Sequence, residues 1–407
     1  CPLRFRIGKD KPVVRRFYAA GYKRFLGEGY FVRALCIVYC DFLRFGKGDE
    51  FLRNDYISVF PVLFCKRYDS WSSERLRSVL KGERRMNIVN YKGTNLRVSD
   101  IALGGGVLGS RISDQASFDI LDCFVGNGGT FIDTANVYGR WNPGNLPLSE
   151  LLIGRWMKQH RLRSKLVVAT KGACHALETP NIKRLAPEEI REDLESSLKS
   201  LQTDYIDLYY LHADDPKREV GEIIETLNSF VREGKVRYFA CSNWSAERMW
   251  AADAYAKEHN LKSFVGHEIM FNLAKPNDEA VEAAVQTHMT ENIYEYHQKT
   301  GKPVTAYTSQ AAGFFVLHKE EGFLKDDKFA FPRDMFYNAE SLKRAERVDE
   351  LCKLTNATPL EITLAYLYAQ PFQVIPIVGP CRVKELEESL RASEKRLTQE
   401  EVEFLFS

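Results

Sequence analysis

Nowhere among the 407 residues does an apolar run reach the roughly 20 residues that a membrane-spanning helix requires. Disulfide and zinc frameworks are lacking too. The nine cysteines, at positions 1, 36, 40, 65, 123, 174, 241, 352 and 381, are an odd number with no C-x-x-C pair. That pattern speaks for reduced thiols in a cytoplasm-like compartment rather than a disulfide scaffold, and offers no metal site. What is present is ordinary for a globular protein, with 44% hydrophobic and 28% charged residues. The length exceeds one average domain, although α/β barrels of about 250 to 320 residues run as single domains.

A net charge of +2 conceals an asymmetry. Residues 1–92 hold 20 Lys and Arg against 9 Asp and Glu, which leaves 37 against 46 for the remainder of the chain. Two stretches of opposite sign point to segments with different histories or jobs. Residues 1–85 are basic and aromatic, and carry no repeat, metal-ligand spacing or phosphate loop. Such a segment has the composition to touch nucleic acid or an anionic membrane, and equally that of a partial domain packed on a neighbour. Cys1 is followed by Pro2-Leu-Arg-Phe-Arg6, which does not favour an N-terminal lipid anchor. Met86 marks the expected start of the functional unit, residues 86–407, with residues 1–85 as a truncated or fused upstream segment of unassigned role.

From residue 101 onward, short β-type runs alternate with helical stretches. The runs lie at 101–103, 130–132, 166–169, 205–211, 236–240, 263–265, 303–306 and 373–378. Between them, apolar residues recur at three and four spacing. The clearest helix is expected over 186–201, where Pro187 suits the first turn, acids follow it and Lys199 closes it. Eight strands, each but the last followed by a helix, predict an α/β fold of the (β/α)8 TIM-barrel type with a basic, aromatic N-terminal extension. A doubly wound sheet is the alternative. It wants a glycine fingerprint opening a helix after the first strand, and residues 103–109 are glycine-rich but precede a helix that starts only around Ser113.

In a barrel, functional residues belong at the C-terminal ends of the strands. Those positions are Asp133, Lys171, His212, Ser242, Asn243, Glu268, Tyr307 and Gly379, and such a run of polar groups is hard to explain by packing. Tyr138 lies five residues beyond Asp133, with Gly139 behind it to turn the chain. A free phenol has a pKa near 10, too high for an efficient proton donor near pH 7. A neighbouring Lys171 ammonium draws it down, an Asp133 carboxylate holds that ammonium, and His212 bonds the same oxygen that Tyr138 protonates. Singly, Lys171 reads equally well as a surface lysine and His212 as a structural histidine; together, in this order, they are equipment for protonating a carbonyl. No side chain delivers hydride, so a nicotinamide cofactor is implied.

Six stretches carry a resemblance. They are Leu96-Arg-Val-Ser-Asp-Ile-Ala-Leu-Gly104, Phe131-Ile-Asp-Thr-Ala-Asn-Val-Tyr-Gly139, Val168-Ala-Thr-Lys-Gly172, Asp204-Tyr-Ile-Asp-Leu-Tyr-Tyr-Leu-His212, Gly234-Lys-Val-Arg-Tyr-Phe-Ala-Cys-Ser-Asn243 and Pro376-Ile-Val-Gly379. In this order, residues from about 87 to 407 resemble the aldo-keto reductase superfamily. The resemblance implies an NADP-dependent oxidoreductase of aldehyde, ketone or sugar carbonyls, with Tyr138 as proton donor and Lys171, Asp133 and His212 completing a tetrad. It further implies a cofactor stretched across the barrel mouth. Ser242 and Asn243 match positions that bind the nicotinamide amide, and Tyr307 the aromatic that stacks on its ring. Gly105 is a further expected cofactor contact, the loop beginning Thr308-Ser-Gln310 matches the phosphate-spanning part, and Gly379, Arg382, Glu385, Glu388 and Ser389 the adenosine end. Two departures stand out. Glu268 occupies a position where Gln is usual beside the nicotinamide, and a carboxylate accepts from the amide but donates back only if protonated. Glu385 stands where Gln or Arg is usual, and Ser389 where Asn is. A Glu near the ribose favours a hydroxyl over a phosphate, whereas Arg382 and Lys384 suit a phosphate, so NADP is expected with NAD left open. The expected partner is a small carbonyl substrate, not a nucleic acid. The family's cofactor-binding regulatory subunits are the alternative to an enzyme. The mouth loops, 140–148, 174–185, 214–218 and 317–337, mix Trp141, His175, Arg184, Phe331 and Arg333 without a pattern that names the substrate.

Overall fold

The computed structural model describes residues 86–407, apart from Leu177, Glu178, Pro180 and Asn181. The expectations for residues 1–85 lie outside the described residues. Ten strands are present among those described: β1 (Ile88–Asn90), β2 (Arg97–Ser99), β3 (Ala102–Gly104), β4 (Phe131–Asp133), β5 (Val167–Gly172), β6 (Ile206–Leu211), β7 (Val236–Ser242), β8 (His267–Met270), β9 (Val304–Tyr307) and β10 (Val374–Val378). The last eight close into a parallel barrel in the order β10-β3-β4-β5-β6-β7-β8-β9, with at least one helix between successive strands. This is the (β/α)8 barrel, and its closure excludes the doubly wound sheet.

Burial on both faces makes the strands near-continuous apolar runs, as parallel sheets require. Inside the barrel, Phe131, Ala169, Leu208, Tyr210, Ala240, Ile375 and Ile377 form one cluster. Outside it, strand residues such as Ile132, Val168 and Tyr209 pack with the surrounding helices in a second, larger cluster. The helix Pro187–Leu201 begins at the predicted proline, and Glu189 accepts the Ala186 N–H at 3.0 Å, satisfying one of the free donors of its first turn. The helix Asp114–Gly126 is capped by Ser113, whose Oγ accepts from Ala116 N at 3.2 Å, where the sequence placed its start.

Two features differ from the sequence reading. The sixth barrel strand is His267–Met270, not residues 263–265. Phe264 made that earlier run look like a strand, but its ring packs edge-on against Phe239 and Trp244, at 5.9 and 4.9 Å between centroids, on the helix-facing side. The second is the hairpin β1–β2, which the sequence did not suggest. The loop between its strands carries Tyr91, which is fully buried against the barrel floor: its hydroxyl lies 3.3 Å from that of Tyr210 and 3.2 Å from Thr305 Oγ1. Among the described residues no helix is long and apolar enough to cross a membrane.

Candidate active site

The site grows from the end of β4. Asp133 pairs with Ala169 of β5, and the chain then leaves the sheet while still bonded to it: Thr134 N donates to Ala169 O and Asn136 N to Lys171 O, each at 2.9 Å. Tyr138 N closes a turn onto Ala135 O at 3.0 Å. Gly139 follows at φ +95°, where a Cβ would lie 2.6 Å from Leu148 Cβ, so only glycine lets the chain turn here. The phenol is thereby held over the barrel mouth by backbone bonds.

Lys171 is fully buried, and three oxygens account for that. Its Nζ donates to both carboxylate oxygens of Asp133 at 2.7 Å and to Thr134 O at 2.9 Å. A second carboxylate, Glu268, approaches the same ammonium at 3.2 Å. Burial alone pushes the Lys171 pKa down, but Asp133, Glu268 and Tyr138 together outweigh it and the net shift is upward, so Lys171 is a cation. Its Nζ lies 5.1 Å from the centroid of the Tyr138 ring.

His212 stands edge-on to Tyr138, with 5.8 Å between ring centroids. Burial first, and the Lys171 charge second, push its pKa down to about 3, so at neutral pH it is an uncharged imidazole. The net shift of Tyr138 reverses what the sequence suggested. Lys171 does pull it down, but burial is the larger effect and the two carboxylates add to it, so the phenol sits above its usual value and stays protonated. An uncharged imidazole thus stands beside a protonated phenol that lies near a buried ammonium.

The other predicted residues divide into two groups. Ser242, Asn243, Glu268 and Tyr307 meet at neighbouring strand ends, since Ser242 pairs with Glu268, and Met270 with Tyr307. Asn243 is at φ +60°, and its Nδ2 donates to His212 O at 3.0 Å and Ser242 Oγ at 3.1 Å. Its Oδ1 accepts from Thr287 N at 3.0 Å and lies 2.8 Å from the Tyr307 hydroxyl, which is also 3.1 Å from Thr287 O. Further along the rim, Gly105 N donates to Asp133 O at 2.7 Å, and a Cβ on Gly105 would come within 2.8 Å of Ser149 Oγ. Thr308 adopts φ +50°, Ser309 Oγ donates to Ile377 O at 2.6 Å, and Gln310 Nε2 donates to Ser389 Oγ at 2.8 Å. Gly379 faces open space. Arg382 is bound at 2.6 Å by Glu385, which also accepts the Cys381 N–H at 2.8 Å; Lys384 lies 3.8 Å from Glu388. Gln310 and Ser389 thereby tie the loop after β9 to the helix Val383–Ala392.

Residues 100–405 match the Aldo/keto reductase family. The chain belongs to that family. It is 31% identical over 316 residues to the uncharacterized oxidoreductase YrpG of Bacillus subtilis, a match spanning 75% of this chain and 91% of that one. It is also 31% identical over 325 residues to norsolorinic acid reductase B of Aspergillus parasiticus, spanning 76% and 80%. The crystal structure of the thermostable aldo-keto reductase Tm1743 with the inhibitor epalrestat superimposes with a TM-score of 0.59 at 25% identity, covering 79% of this chain and 98% of that one.

Within this family member, three groups that sequence reasoning missed support the site. Thr134 supplies the carbonyl that completes the shell of Lys171. Thr287 reaches Asn243 and Tyr307 from a loop, and no pattern in the sequence announces that contact. Glu150, fully buried, accepts from Thr170 at 2.6 Å and from Asn136 at 3.2 Å beneath the Tyr138 loop. Burial pushes its pKa up to about 7. Arg184 and Arg333, offered as substrate-loop residues, are bonded within the protein, Arg184 to Asp193 at 3.1 Å and Arg333 to the Asp326 carbonyl at 3.2 Å.

Proposed function

We propose that the chain is a nicotinamide-dependent reductase of aldehyde, ketone or sugar carbonyls, working reversibly on the corresponding alcohols, with residues 86–407 as the functional unit. The observation that carries this reading is the buried Lys171 with Tyr138 and His212 against it. A bound nicotinamide supplies the hydride. Tyr138 donates its hydroxyl proton to the carbonyl oxygen, and the phenolate left behind is balanced by the Lys171 ammonium. The neutral His212 holds the same oxygen by a hydrogen bond and orients the carbonyl. Asp133 keeps Lys171 charged and in place. The exposed ring of Trp141, 6.3 Å from that of Tyr138, offers an aromatic face to an aryl-bearing carbonyl.

The cofactor fits the groups along the rim. Glu268 Oε2 and His212 Nδ1 are buried polar atoms without a partner, and Gly379 leaves open space. Asn243 fits less freely, because Thr287 and Tyr307 already hold its oxygen. A carboxamide then takes Ser242 and Glu268 as partners, or displaces Thr287. At the adenosine end Glu388 meets the adenine, Glu385 a ribose hydroxyl and Arg382 a 2′-phosphate, while Gln310 of the phosphate-spanning loop holds Ser389. NADP is the preferred form, and the pairing of Arg382 with Glu385 is what leaves NAD open.

A panel of aromatic and aliphatic aldehydes, ketoses and quinones, followed by NADPH absorbance, tests this reading. Enzyme-dependent oxidation of NADPH with an aldehyde or ketone is expected; turnover with none of the panel, in a protein that binds cofactor, would favour a regulatory subunit instead.

A further inference from the structure

One cation and two carboxylates are enclosed together at the barrel mouth. Lys171, Asp133 and Glu268 are all at most 2% exposed, and fully ionised they carry one uncompensated negative charge. The two carboxylates are not equivalent. Asp133 has both oxygens on Lys171 at 2.7 Å and also stands within hydrogen-bond reach of Glu268 once one of the two is protonated. Glu268 has one oxygen at 3.2 Å, while its Oε2 is buried with no hydrogen-bond partner. An uncompensated buried charge is costly, so the site has two ways to restore neutrality: Glu268 takes a proton, or a cation enters beside it.

The remaining groups around Glu268 do not supply that cation. Beside it on β7 is Ser242 and on β9 Thr305, both uncharged. Tyr91 and Tyr210 below and Tyr138 and Tyr307 above are phenols that burial pushes upward, leaving them neutral. His212 is pushed down to about 3, and the buried Cys241 thiol is raised, so neither is charged near neutral pH. Burial, then the Asp133 charge, also raises Glu268 itself well above an ordinary carboxyl.

We propose that Glu268 selects the redox form of the cofactor: ionised, it holds the oxidised, cationic nicotinamide in preference to the reduced, neutral one, and protonated, it does not discriminate between them. The inference rests on the cofactor reading above. Its consequence is directional. As pH rises and Glu268 ionises, the site favours the oxidised cofactor and with it alcohol oxidation; as pH falls, that preference fades and carbonyl reduction is favoured.

The 407-residue chain is titrated with NADP+ and with NADPH by protein fluorescence at pH 6 and pH 8.5. The ratio of the NADPH to the NADP+ dissociation constant is expected to rise at least about tenfold between these pH values. The phosphates and ribose are common to both forms and cancel from the ratio. In Glu268→Gln the ratio should change less than about twofold, since a neutral amide leaves nothing to ionise. A ratio independent of pH in the wild type, or the same rise in Glu268→Gln, would overturn the proposal. Wild-type protein alone gives a second readout in weakly buffered solution: NADP+ binding should release more protons than NADPH binding, and equal release would also overturn it. Failure of the wild type to bind either form would instead defeat the cofactor reading on which the inference stands.

Discussion

The ammonium of Lys171 sits 2.7 Å from both oxygens of Asp133, and neither partner reaches solvent. A buried pair of this kind adds little over an apolar pair of equal size, but breaking it leaves a buried charge unmatched. Lys171→Met removes the only cation among three buried ionisable groups. It should cost about 3–5 kcal/mol of stability in urea unfolding. The double variant Lys171→Met/Asp133→Asn should regain part of that loss. Stability equal to wild type in the single variant would show that the pair is not what holds the site together.

A second prediction concerns Glu150, beneath the Tyr138 loop. Its folded pKa, pushed up to about 7 by burial, lies above the ordinary carboxyl value of 4.5. A raised folded pKa means that the contribution to stability is fully present below the ordinary value and is lost as pH climbs through about 7. The loss amounts to about 3 kcal/mol at most. Glu150→Gln keeps an oxygen to accept from Thr170 and has nothing to ionise. Between pH 5 and pH 8, thermal unfolding should show wild type falling relative to the variant; parallel curves would contradict the assignment.

At the far end of the proposed cofactor site, Glu385 neutralises Arg382. Glu385→Gln frees the guanidinium for a 2′-phosphate. Because Arg382 is largely exposed and solvent screens the pair, the gain in NADPH over NADH affinity should be modest, roughly threefold. A fluorescence titration in which NADH binds the wild type more tightly than NADPH would overturn the preference for NADP.

Much of this arrangement is legible in the order of residues because the barrel is a repetitive machine. Alternating apolar runs and amphipathic stretches mark the strands and helices, and the rule that function sits at strand ends then singles out Asp133, Lys171 and His212. What is illegible depends on contacts that no periodicity encodes. Ser263-Phe-Val265 is more apolar than the true strand His267-Glu-Ile-Met270, whose polar His and Glu hid it, and only the packing of Phe264 against Trp244 takes the earlier run out of the barrel. Thr287 meets Asn243 across 44 positions of chain. The upward shift of Tyr138 follows from burial, which outweighs the neighbouring lysine whose presence the sequence does reveal.

Residues 86–407 are proposed as the functional unit, and Met86 is already tied to it, donating to Asn127 O at 2.9 Å at the end of the helix Asp114–Gly126. Expressed alone, this segment should be folded, bind NADPH as the full chain does and retain its turnover. An insoluble or cofactor-free product would show that residues 1–85 are part of the working protein.

The central claim is that the Tyr138 hydroxyl is the proton donor, and replacing it isolates that one group. Tyr138→Phe keeps the ring beside His212 and over Lys171 while removing the oxygen. Single-turnover reduction of a responsive aldehyde by NADPH, with cofactor affinity measured on the same sample, gives the decisive comparison. The predicted result is an unchanged dissociation constant for NADPH with reduction slowed by about 100-fold or more; reduction at near wild-type rate would contradict the assignment of Tyr138.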